Sequence, residues 1–404
     1  MEDILEKNEV LIWGAGKIGR GFLAEIFTDA GYHVTFIEYD EKLVNDLKET
    51  KSYTIYKALK DDQYEVVKIK NYEVLSTKEE DIITKKVMDK KHVVMAIAVH
   101  QSGLPSVIKI ISEIVIKKAY KYPQSTLDVI LCVNMLNVAQ YCQNLFEKYL
   151  PINLHSYLNN NIGLVESVVM RIATQPTQEM LKEDKLAVLT NGYDNMPVDK
   201  KAFKGPIPKT KMLKLSDNII AEEIRKFYTL NMSHALLAYI GFSRGYKYAH
   251  EAIQDKDIYY VITQALKEVG EGLIKEYEFT KEEIEKWNEE IVDLLKNPLL
   301  NDTLSRLGSD TKRKLSKQDR LVGPSLLCLK HGITPFYLAH GIAYGFKFSQ
   351  SDDEGTEEVQ IYLKEYGIDK ALRKICDIQD DNLISLIKEI YEEAVPYNKI
   401  LVRQ

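Results

Sequence analysis

The pattern of apolar and polar residues differs between the two halves of the chain. In the first half, short apolar runs alternate with segments of helical periodicity, such as "GRGFLAEIFTDAG" and "PSVIKIISEIVIKKAYK". The runs with the length and the residue types of buried strands are "EVLIW", "HVTFIEYD", "HVVMAIAV" and "LDVILCVN". Strand, helix and strand in this order predict an α/β fold built on a doubly wound parallel sheet.

Beyond about residue 205 the pattern becomes that of long amphipathic helices. Segments such as "DIYYVITQALKEVGEGLIKEY" and "TKEEIEKWNEEIVDLLKN" carry apolar residues along one side. Thr280 followed by Glu283 resembles a capping box. "FKGPIPKT", with two prolines and a glycine, is typical of a hinge. We therefore expect an α/β domain over residues 1–205 and a mostly α-helical domain over residues 206–404.

Composition and charge exclude several classes of protein. Of the 404 residues, 45% are apolar and 28% are charged, and the net charge is −6. The basic residues are scattered, so no nucleic-acid partner is expected. The four cysteines form no C-x-x-C pair, which favours a reducing compartment. The amino terminus is acidic and polar, unlike a signal peptide, and the apolar runs are too short to span a bilayer. We expect a cytoplasmic protein with no membrane partner, and a monomer because no long heptad pattern appears.

The most informative short segment is "LIWGAGKIGRGF". Gly14, Gly16 and Gly19 have G-x-G-x-x-G spacing, follow a predicted strand and open a predicted helix, as in dinucleotide-binding loops. Gly14 allows the tight turn, Gly16 lets the backbone approach a pyrophosphate, and Gly19 lets the helix pack on the sheet. The alternative is a purely structural turn. The residues expected to bind the dinucleotide are Gly14, Ala15, Gly16, Lys17, Ile18, Gly19 and Glu38.

Glu38 indicates which dinucleotide is bound. It lies at the end of the second predicted strand, 19 residues after Gly19. A carboxylate there accepts hydrogen bonds from a ribose diol and repels a 2′-phosphate, so NAD is favoured over NADP. Lys17 and Arg20 are nearby cations that leave NADP as the alternative.

The segment "RKFYTLNMSHA" offers a catalytic group for alcohol oxidation. The histidines and cysteines show no metal-ligand spacing, so we expect no metal and look for a metal-free base. On a regular helix Asn231 lies about 140° and His234 about 80° from Lys226, on one broad side. A partly desolvated lysine beside another cation can be neutral and accept the alcohol proton. Asn231 would steady the oxygen, and His234 would orient substrate or base. The alternative is a solvated helix face.

Five motifs in order along the chain resemble the polyol-specific long-chain dehydrogenase/reductase family. They are "GAGKIGRGF", "TFIEYD", "CVNM", "RKFYTLNMSHALLAYIG" and "DTLSRLGSDTKRKLSKQDRL". The resemblance implies a Rossmann-type doubly wound parallel sheet followed by a mostly α-helical C-terminal domain, with the site in the cleft between them. It implies that Lys226 is the catalytic lysine and that Asn231 and His234 are its partners. It also implies that Asn134 helps to form the oxyanion hole.

The chain departs from the family pattern at several positions. Val133 stands where the family usually has Glu, and Met170 where it usually has Asp. In the last motif Ser309 replaces a usual basic residue and Thr311 a usual proline. His100 stands where a small residue is expected, close to where nicotinamide should lie; it is either a substrate contact or a packing residue.

The substrate follows partly from charge and partly from the resemblance. Six cations could surround a phosphate or form surface ion pairs: Arg225, Arg306, Lys312, Arg313, Lys314 and Arg320. The chain also starts almost at the cofactor strand, as in the phosphate-specific branch. The leading hypothesis is NAD-linked interconversion of D-mannitol 1-phosphate and D-fructose 6-phosphate. The alternatives are oxidation of another polyol or a hexonate, and a dinucleotide-binding protein without catalysis.

Overall fold

The computed structural model describes residues 8–59, 63–349 and 353–393. The chain divides into two compact units, Met1–Glu223 and Ile224–Gln404. The first unit extends past residue 205, because a strand over Leu213–Ser216 pairs with a strand over Met196–Asp199. The segment "FKGPIPKT" lies within this unit, where the backbone N–H groups of Lys204 and Gly205 donate to the Asp128 carboxylate over 2.8 and 3.0 Å.

The first unit carries a six-stranded parallel sheet, as the strand and helix pattern predicts. The strands of the unit are β1 (Glu9–Trp13), β2 (His33–Glu38), β3 (Ser52–Ala58), β4 (Tyr64–Lys70), β5 (Glu73–Ser76), β6 (His92–Ile97), β7 (Thr126–Leu131), β8 (Ile162–Glu166), β9 (Ala173–Thr174), β10 (Val188–Thr190), β11 (Met196–Asp199) and β12 (Leu213–Ser216). The strand order of the six-stranded sheet is β5-β2-β1-β6-β7-β8. A second, four-stranded sheet has the order β4-β3-β10-β9, and β11 pairs with β12.

Helices cover both faces of the six-stranded sheet. Alternate residues of a strand point to opposite faces, so Val10 and Ile12 join one apolar cluster while Leu11 and Trp13 join the other. The helices of this unit are α1 (Ala24–Asp29), α2 (Glu41–Thr50), α3 (Glu80–Met88), α4 (Leu104–Lys121), α5 (Val138–Tyr149), α6 (His155–Asn161) and α7 (Gln178–Glu183). This doubly wound arrangement confirms the predicted fold class.

The second unit is helical, again as predicted. Two of its helices, Met232–Ser243 and Phe336–Gly345, are apolar on every side and buried, and they form its centre. Thr280 and Glu283 form the expected capping box at the start of the helix Lys281–Lys296. The helices are α8 (Ile219–Lys226), which starts in the first unit, α9 (Met232–Ser243), α10 (Ala249–Ala252), α11 (Lys256–Glu276), α12 (Lys281–Lys296), α13 (Leu304–Gly308), α14 (Thr311–Lys314), α15 (Val322–Lys330), α16 (Phe336–Gly345), α17 (Glu354–Lys374) and α18 (Asp381–Glu393).

The length and polarity of these helices bear on membrane insertion. Within the described ranges, none of the helices combines the length and the apolar composition that crossing a bilayer requires.

Candidate active site

The glycine loop between β1 and α1 needs glycine at two of its positions and leaves space at the third. Gly14 has φ +96°, and a Cβ there would lie 2.5 Å from the Ala98 carbonyl oxygen. A Cβ on Gly19 would lie 2.0 Å from the Gly14 carbonyl oxygen. A Cβ on Gly16 would meet no atom within 4 Å. The turn and the packing therefore fix Gly14 and Gly19, while the backbone at Gly16 is open to a ligand. The helix starts with a π-helical turn, Gly19–Leu23, that continues into α1.

Glu38 closes the open side of this loop. Its side chain is 4% exposed, and the carboxylate accepts backbone hydrogen bonds from Ala15, Tyr39 and Asp40 over 2.7, 2.8 and 3.1 Å. The Arg20 guanidinium donates to the carbonyl oxygens of Ala15 and Leu186 over 2.7 and 2.5 Å, and it interacts electrostatically with Glu38. The negative charge of Glu38 thus lies at the loop, whereas the buried Arg20 has a structural role. Of the other predicted loop residues, Lys17 is exposed and Ile18 is half-buried.

A cleft of about 510 Å³ lies in front of the loop in the first unit. Gly14, Gly16 and Glu38 line one side of it. The other lining residues follow the carboxyl ends of neighbouring strands, including Tyr39, Thr77, His100, Ser102 and Ser106. His100 is exposed there, and its Nδ1 lies 3.0 Å from the Ser102 Oγ. We did not predict Tyr39, Ser102 or Ser106 as lining residues, although each follows a strand end that is recognisable in the sequence.

Asn134 lies in the loop after β7, and its side chain is exposed. Its neighbour Val133 is 8% exposed and belongs to the core of the unit, and Met170 is 5% exposed. The two positions where the family usually has acids therefore hold buried apolar side chains. Glu166, the last residue of β8, is the buried carboxylate at the end of the strand beside β7. Burial raises its pKa, and it accepts the Ala139 N–H over 3.0 Å.

A π-helical turn, Phe227–Asn231, joins α8 to α9 and changes the expected geometry of the lysine helix. The Met232 N–H donates to the Phe227 carbonyl oxygen, five residues back. Such a turn absorbs one extra residue, so ideal geometry places Asn231 about 40° and His234 about 20° from Lys226, against about 140° and 80° on an uninterrupted helix. The three side chains therefore lie along one narrow stripe.

This stripe is buried, contrary to the alternative of a solvated helix face. Lys226, Asn231 and His234 are 9%, 5% and 9% exposed. Burial lowers the pKa of His234 well below its ordinary value, and the positive charges of Arg306, Arg320, Lys314 and Lys226 lower it further. The imidazole is consequently neutral at pH 7.

All six candidate cations are engaged by protein groups, four of them as follows. The Arg225 guanidinium lies over the rings of Phe279 and Trp287, at 4.8 and 4.3 Å. Lys312 pairs with Glu358 on the surface. Arg313 pairs with Asp310 and Asp319. The Lys314 ammonium donates to the carbonyl oxygens of Leu307 and Ser309, and its pKa is lowered well below the ordinary value by burial and by Arg320 and Arg313.

The other two cations, Arg306 and Arg320, differ in how they are held. Arg306 makes a bidentate pair with Asp302, at 2.7 and 2.5 Å, and is exposed. Arg320 is 5% exposed, and its Nε donates to Asp319 over 2.6 Å. Its Nη2 is buried and has no hydrogen-bond partner among the residues that the structure describes. The guanidinium lies 5.9 Å from the ring of Phe227, the first residue of the π-turn. A buried guanidinium nitrogen with an unused N–H can donate a hydrogen bond to an anionic group.

One group of residues has ligand atoms close enough together to hold a metal, within the described ranges: Glu9, His33 and Glu73. These residues are the first of β1, β2 and β5, at the amino edge of the sheet, opposite the glycine loop. Glu9 is paired with Lys86 and Lys90. Because two ammonium groups already neutralise this carboxylate, we assign no metal to the group.

The pairing of Glu9 predicts a specific loss of stability in acid. Burial raises the pKa of its carboxyl, but hydrogen bonds from Lys86, Lys90 and Thr35 outweigh burial and lower the pKa from 4.5 to about 2. A depressed pKa adds stability that is complete above pH 4.5 and is lost as the pH falls toward 2. We expect E9Q to be less stable at pH 7 by up to about 3 kcal/mol, a difference that shrinks as the pH falls from 5 to 3. Urea unfolding of both proteins across this range measures it; a difference that does not change with pH would contradict the pairing.

Comparisons with known proteins place the chain in a family. Residues 8–212 match the mannitol dehydrogenase Rossmann domain, and residues 218–404 match the mannitol dehydrogenase C-terminal domain. Mannitol-1-phosphate 5-dehydrogenase of Buchnera aphidicola subsp. Acyrthosiphon pisum (strain Tuc7) is 30% identical over 392 residues, which are 97% of this chain and 98% of that protein.

Solved structures of low sequence identity share the fold. Pseudomonas fluorescens mannitol 2-dehydrogenase, in a ternary complex with NAD and D-mannitol, has a TM-score of 0.81 at 15% identity and covers 96% of this chain and 91% of its own. A D-sorbitol dehydrogenase in substrate-free form has a TM-score of 0.80 at 15% identity and covers 96% and 93%. With both family domains matched along nearly the whole length, the chain belongs to the mannitol dehydrogenase family of oxidoreductases, which act on CH–OH groups.

Proposed function

We propose that this protein interconverts D-mannitol 1-phosphate and D-fructose 6-phosphate with NAD as hydride carrier. The observation that carries the proposal is the buried stripe of Lys226, Asn231 and His234, aligned by the π-turn and bordered by Arg320. The relative at 30% identity, a mannitol-1-phosphate 5-dehydrogenase, supports the same reaction.

The cleft of the first unit suits NAD. The open backbone at Gly16 and the helix that follows would hold the pyrophosphate, with Ala15, Lys17 and Ile18 in the same loop. Glu38, fixed by three backbone N–H groups, would accept the ribose hydroxyls, and its charge disfavours a 2′-phosphate. Arg20 interacts electrostatically with Glu38, but its guanidinium is already bonded to the carbonyl oxygens of Ala15 and Leu186. When bound, NAD supplies the nicotinamide that accepts the hydride.

The residues of the stripe would perform the proton chemistry. In the oxidation direction the Lys226 amine accepts the hydroxyl proton while the hydride leaves the same carbon, so an alcohol becomes a ketone. This step requires Lys226 as the neutral amine. Asn231 donates a hydrogen bond to the oxygen, and the resemblance assigns the same task to Asn134. Neutral His234 orients the substrate or the amine without adding a charge.

The phosphate of the substrate would bind at Arg320. Its Nη2 is a buried donor with an unused hydrogen bond, and phosphate is an acceptor that matches a guanidinium. Arg306 adds positive charge in the same region, since both arginines act electrostatically on His234. A carboxylate could accept hydrogen bonds from the same donors, which keeps a hexonate as the second candidate. Met170 and His100, two departures from the family pattern, favour it.

A panel of substrates tests the proposal. NADH oxidation at 340 nm would be followed with fructose 6-phosphate, fructose and a keto-acid of a hexonate, with NADPH as the matched cofactor control. We expect kcat/KM for fructose 6-phosphate to exceed that for fructose by about 100-fold or more, from one or two charge-assisted phosphate contacts. Turnover of the keto-acid alone would select the second candidate. NADH binding without turnover of any substrate would indicate a non-catalytic protein.

A further inference from the structure

A buried chain of hydrogen bonds holds the π-turn Phe227–Asn231. The indole N–H of Trp287, on α12, donates to the Thr229 Oγ1 over 2.8 Å. The Thr229 hydroxyl donates to the carbonyl oxygen of Arg225 over 2.5 Å. Thr229 is wholly buried and Trp287 is 7% exposed. Because a hydroxyl has one proton, the bond that it accepts from the indole directs that proton to the carbonyl.

The Thr229 hydroxyl acts where the helix changes register. In an α-helix the Arg225 carbonyl would accept the backbone N–H of residue 229. A π-turn shifts backbone donors by one residue, and a threonine that bonds the carbonyl four residues back is a known means of altering helix geometry. The side chain of Thr229 therefore supplies a donor at the carbonyl that precedes the turn.

The neighbours of Thr229 are fixed from two further sides. Trp287 also presents its ring to the Arg225 guanidinium, which lies between this ring and that of Phe279. On another side, Tyr228 packs against Gly323: a Cβ at Gly323 would lie 2.6 Å from the tyrosine hydroxyl oxygen. One tryptophan thus holds both Thr229 and the residue before Lys226.

We propose that Thr229 and Trp287 are positioning residues of the active site. They hold the π-turn and, through it, the alignment of Lys226 with Asn231 and His234. The inference rests on the proposed function, because the alignment matters only if these three residues perform the reaction. Thr229 acts from within the core, behind the stripe that faces the substrate.

The test compares two variants at one position with a matched control. T229V keeps the shape and removes the hydroxyl, whereas T229S keeps the hydroxyl. Thr263, on α11, donates a solvent-exposed hydrogen bond to the carbonyl oxygen three residues back, that of Tyr260, so T263V is the control. We expect T229V to lower kcat for fructose 6-phosphate by about 10- to 100-fold, since small misplacements of a catalytic group cost this much. KM and the Kd for NADH should stay within about twofold. T229S and T263V should keep kcat within about threefold of the unaltered protein.

W287F is the second variant, because it removes the indole donor and leaves Thr229 in place. We expect its kcat to fall as in T229V, with thermal unfolding of each variant measured alongside. The proposal would be overturned if T229V and W287F both kept the kcat of the unaltered protein. It would also be overturned if kcat fell as far in T229S as in T229V.

Amide hydrogen exchange tests whether Thr229 holds the π-turn, and it does not depend on turnover of a substrate. Peptides that cover residues 225–234 should exchange at least about tenfold faster in T229V than in the unaltered protein and in T263V, because the turn opens more often. Unchanged exchange there would overturn the proposal. If the unaltered protein turns over no substrate of the panel, the proposed function fails while this measurement still decides whether Thr229 holds the turn.

Discussion

Replacing Lys226 with alanine should lower kcat for fructose 6-phosphate by about 10²–10⁴-fold, the range that a positioned acid or base contributes. Lys226 is 9% exposed and lies on one helix stripe with Asn231 and His234. It is the lysine of that stripe, so no second amine there can replace it as the base. NADH binding should stay within about twofold, because the proposed dinucleotide cleft belongs to the first unit. Steady-state rates and fluorescence titration with NADH measure the two quantities separately.

K226R distinguishes a proton acceptor from a mere positive charge. Arginine keeps the charge but does not deprotonate in proteins, so K226R should be about as inactive as K226A. Small primary amines added to K226A should restore part of the rate. In the oxidation direction, activity of the unaltered protein should rise with pH until the amine is neutral, and this rise should be absent in K226A. A K226R that keeps more than about a tenth of the activity would contradict the assignment of Lys226 as the base.

Replacing Arg320 with methionine should separate phosphorylated from unphosphorylated substrates. We expect kcat/KM for fructose 6-phosphate to fall by about 10- to 150-fold, the value of one charge-assisted hydrogen bond of roughly 1.5–3 kcal/mol. The rate with fructose should change by less than about threefold. R320K should have a kcat/KM for fructose 6-phosphate between those of R320M and the unaltered protein, since lysine keeps the positive charge but lacks the planar guanidinium group.

R313M is the matched control for R320M. Arg313 shares Asp319 with Arg320 but has its own second partner, Asp310, so its removal disturbs the same carboxylate. R313M should leave the ratio of the two substrates unchanged. Equal losses on both substrates in R320M, or a changed ratio in R313M, would contradict phosphate binding at Arg320.

Local sequence patterns predicted four of the six strands of the main sheet and the helical second half, but not β5, β8 or the four-stranded sheet of the first unit. β1, β2, β6 and β7 are short apolar runs, and the periodicity of the later helices is regular. β3 and β4 are only half-buried, and β3 is completed by β10, more than 130 residues later. Pairing over such a distance depends on the rest of the fold, so nothing near residues 52–70 indicates it.

The same contrast holds for the candidate site. The glycine loop and the lysine helix are local motifs, which a sequence displays directly. The π-turn depends on Trp287, which is 58 residues from its partner Thr229. Because the sequence does not show this turn, angles computed for an uninterrupted helix place Lys226, Asn231 and His234 too far apart around the helix.

The difference between Arg320 and the neighbouring cations depends on which carboxylates and carbonyl oxygens each cation contacts in the folded unit.

The product of oxidation tests the central claim most directly. D-Mannitol 1-phosphate labelled with ¹³C would be incubated with NAD and the protein, and the product would be identified by NMR. We expect a single ketone at the carbon next to the unphosphorylated end, which is fructose 6-phosphate, formed in equal amount with NADH and at least about 100-fold more slowly with K226A. A bound dinucleotide with no ketone formed, or a ketone next to the phosphorylated end, would contradict the proposed reaction.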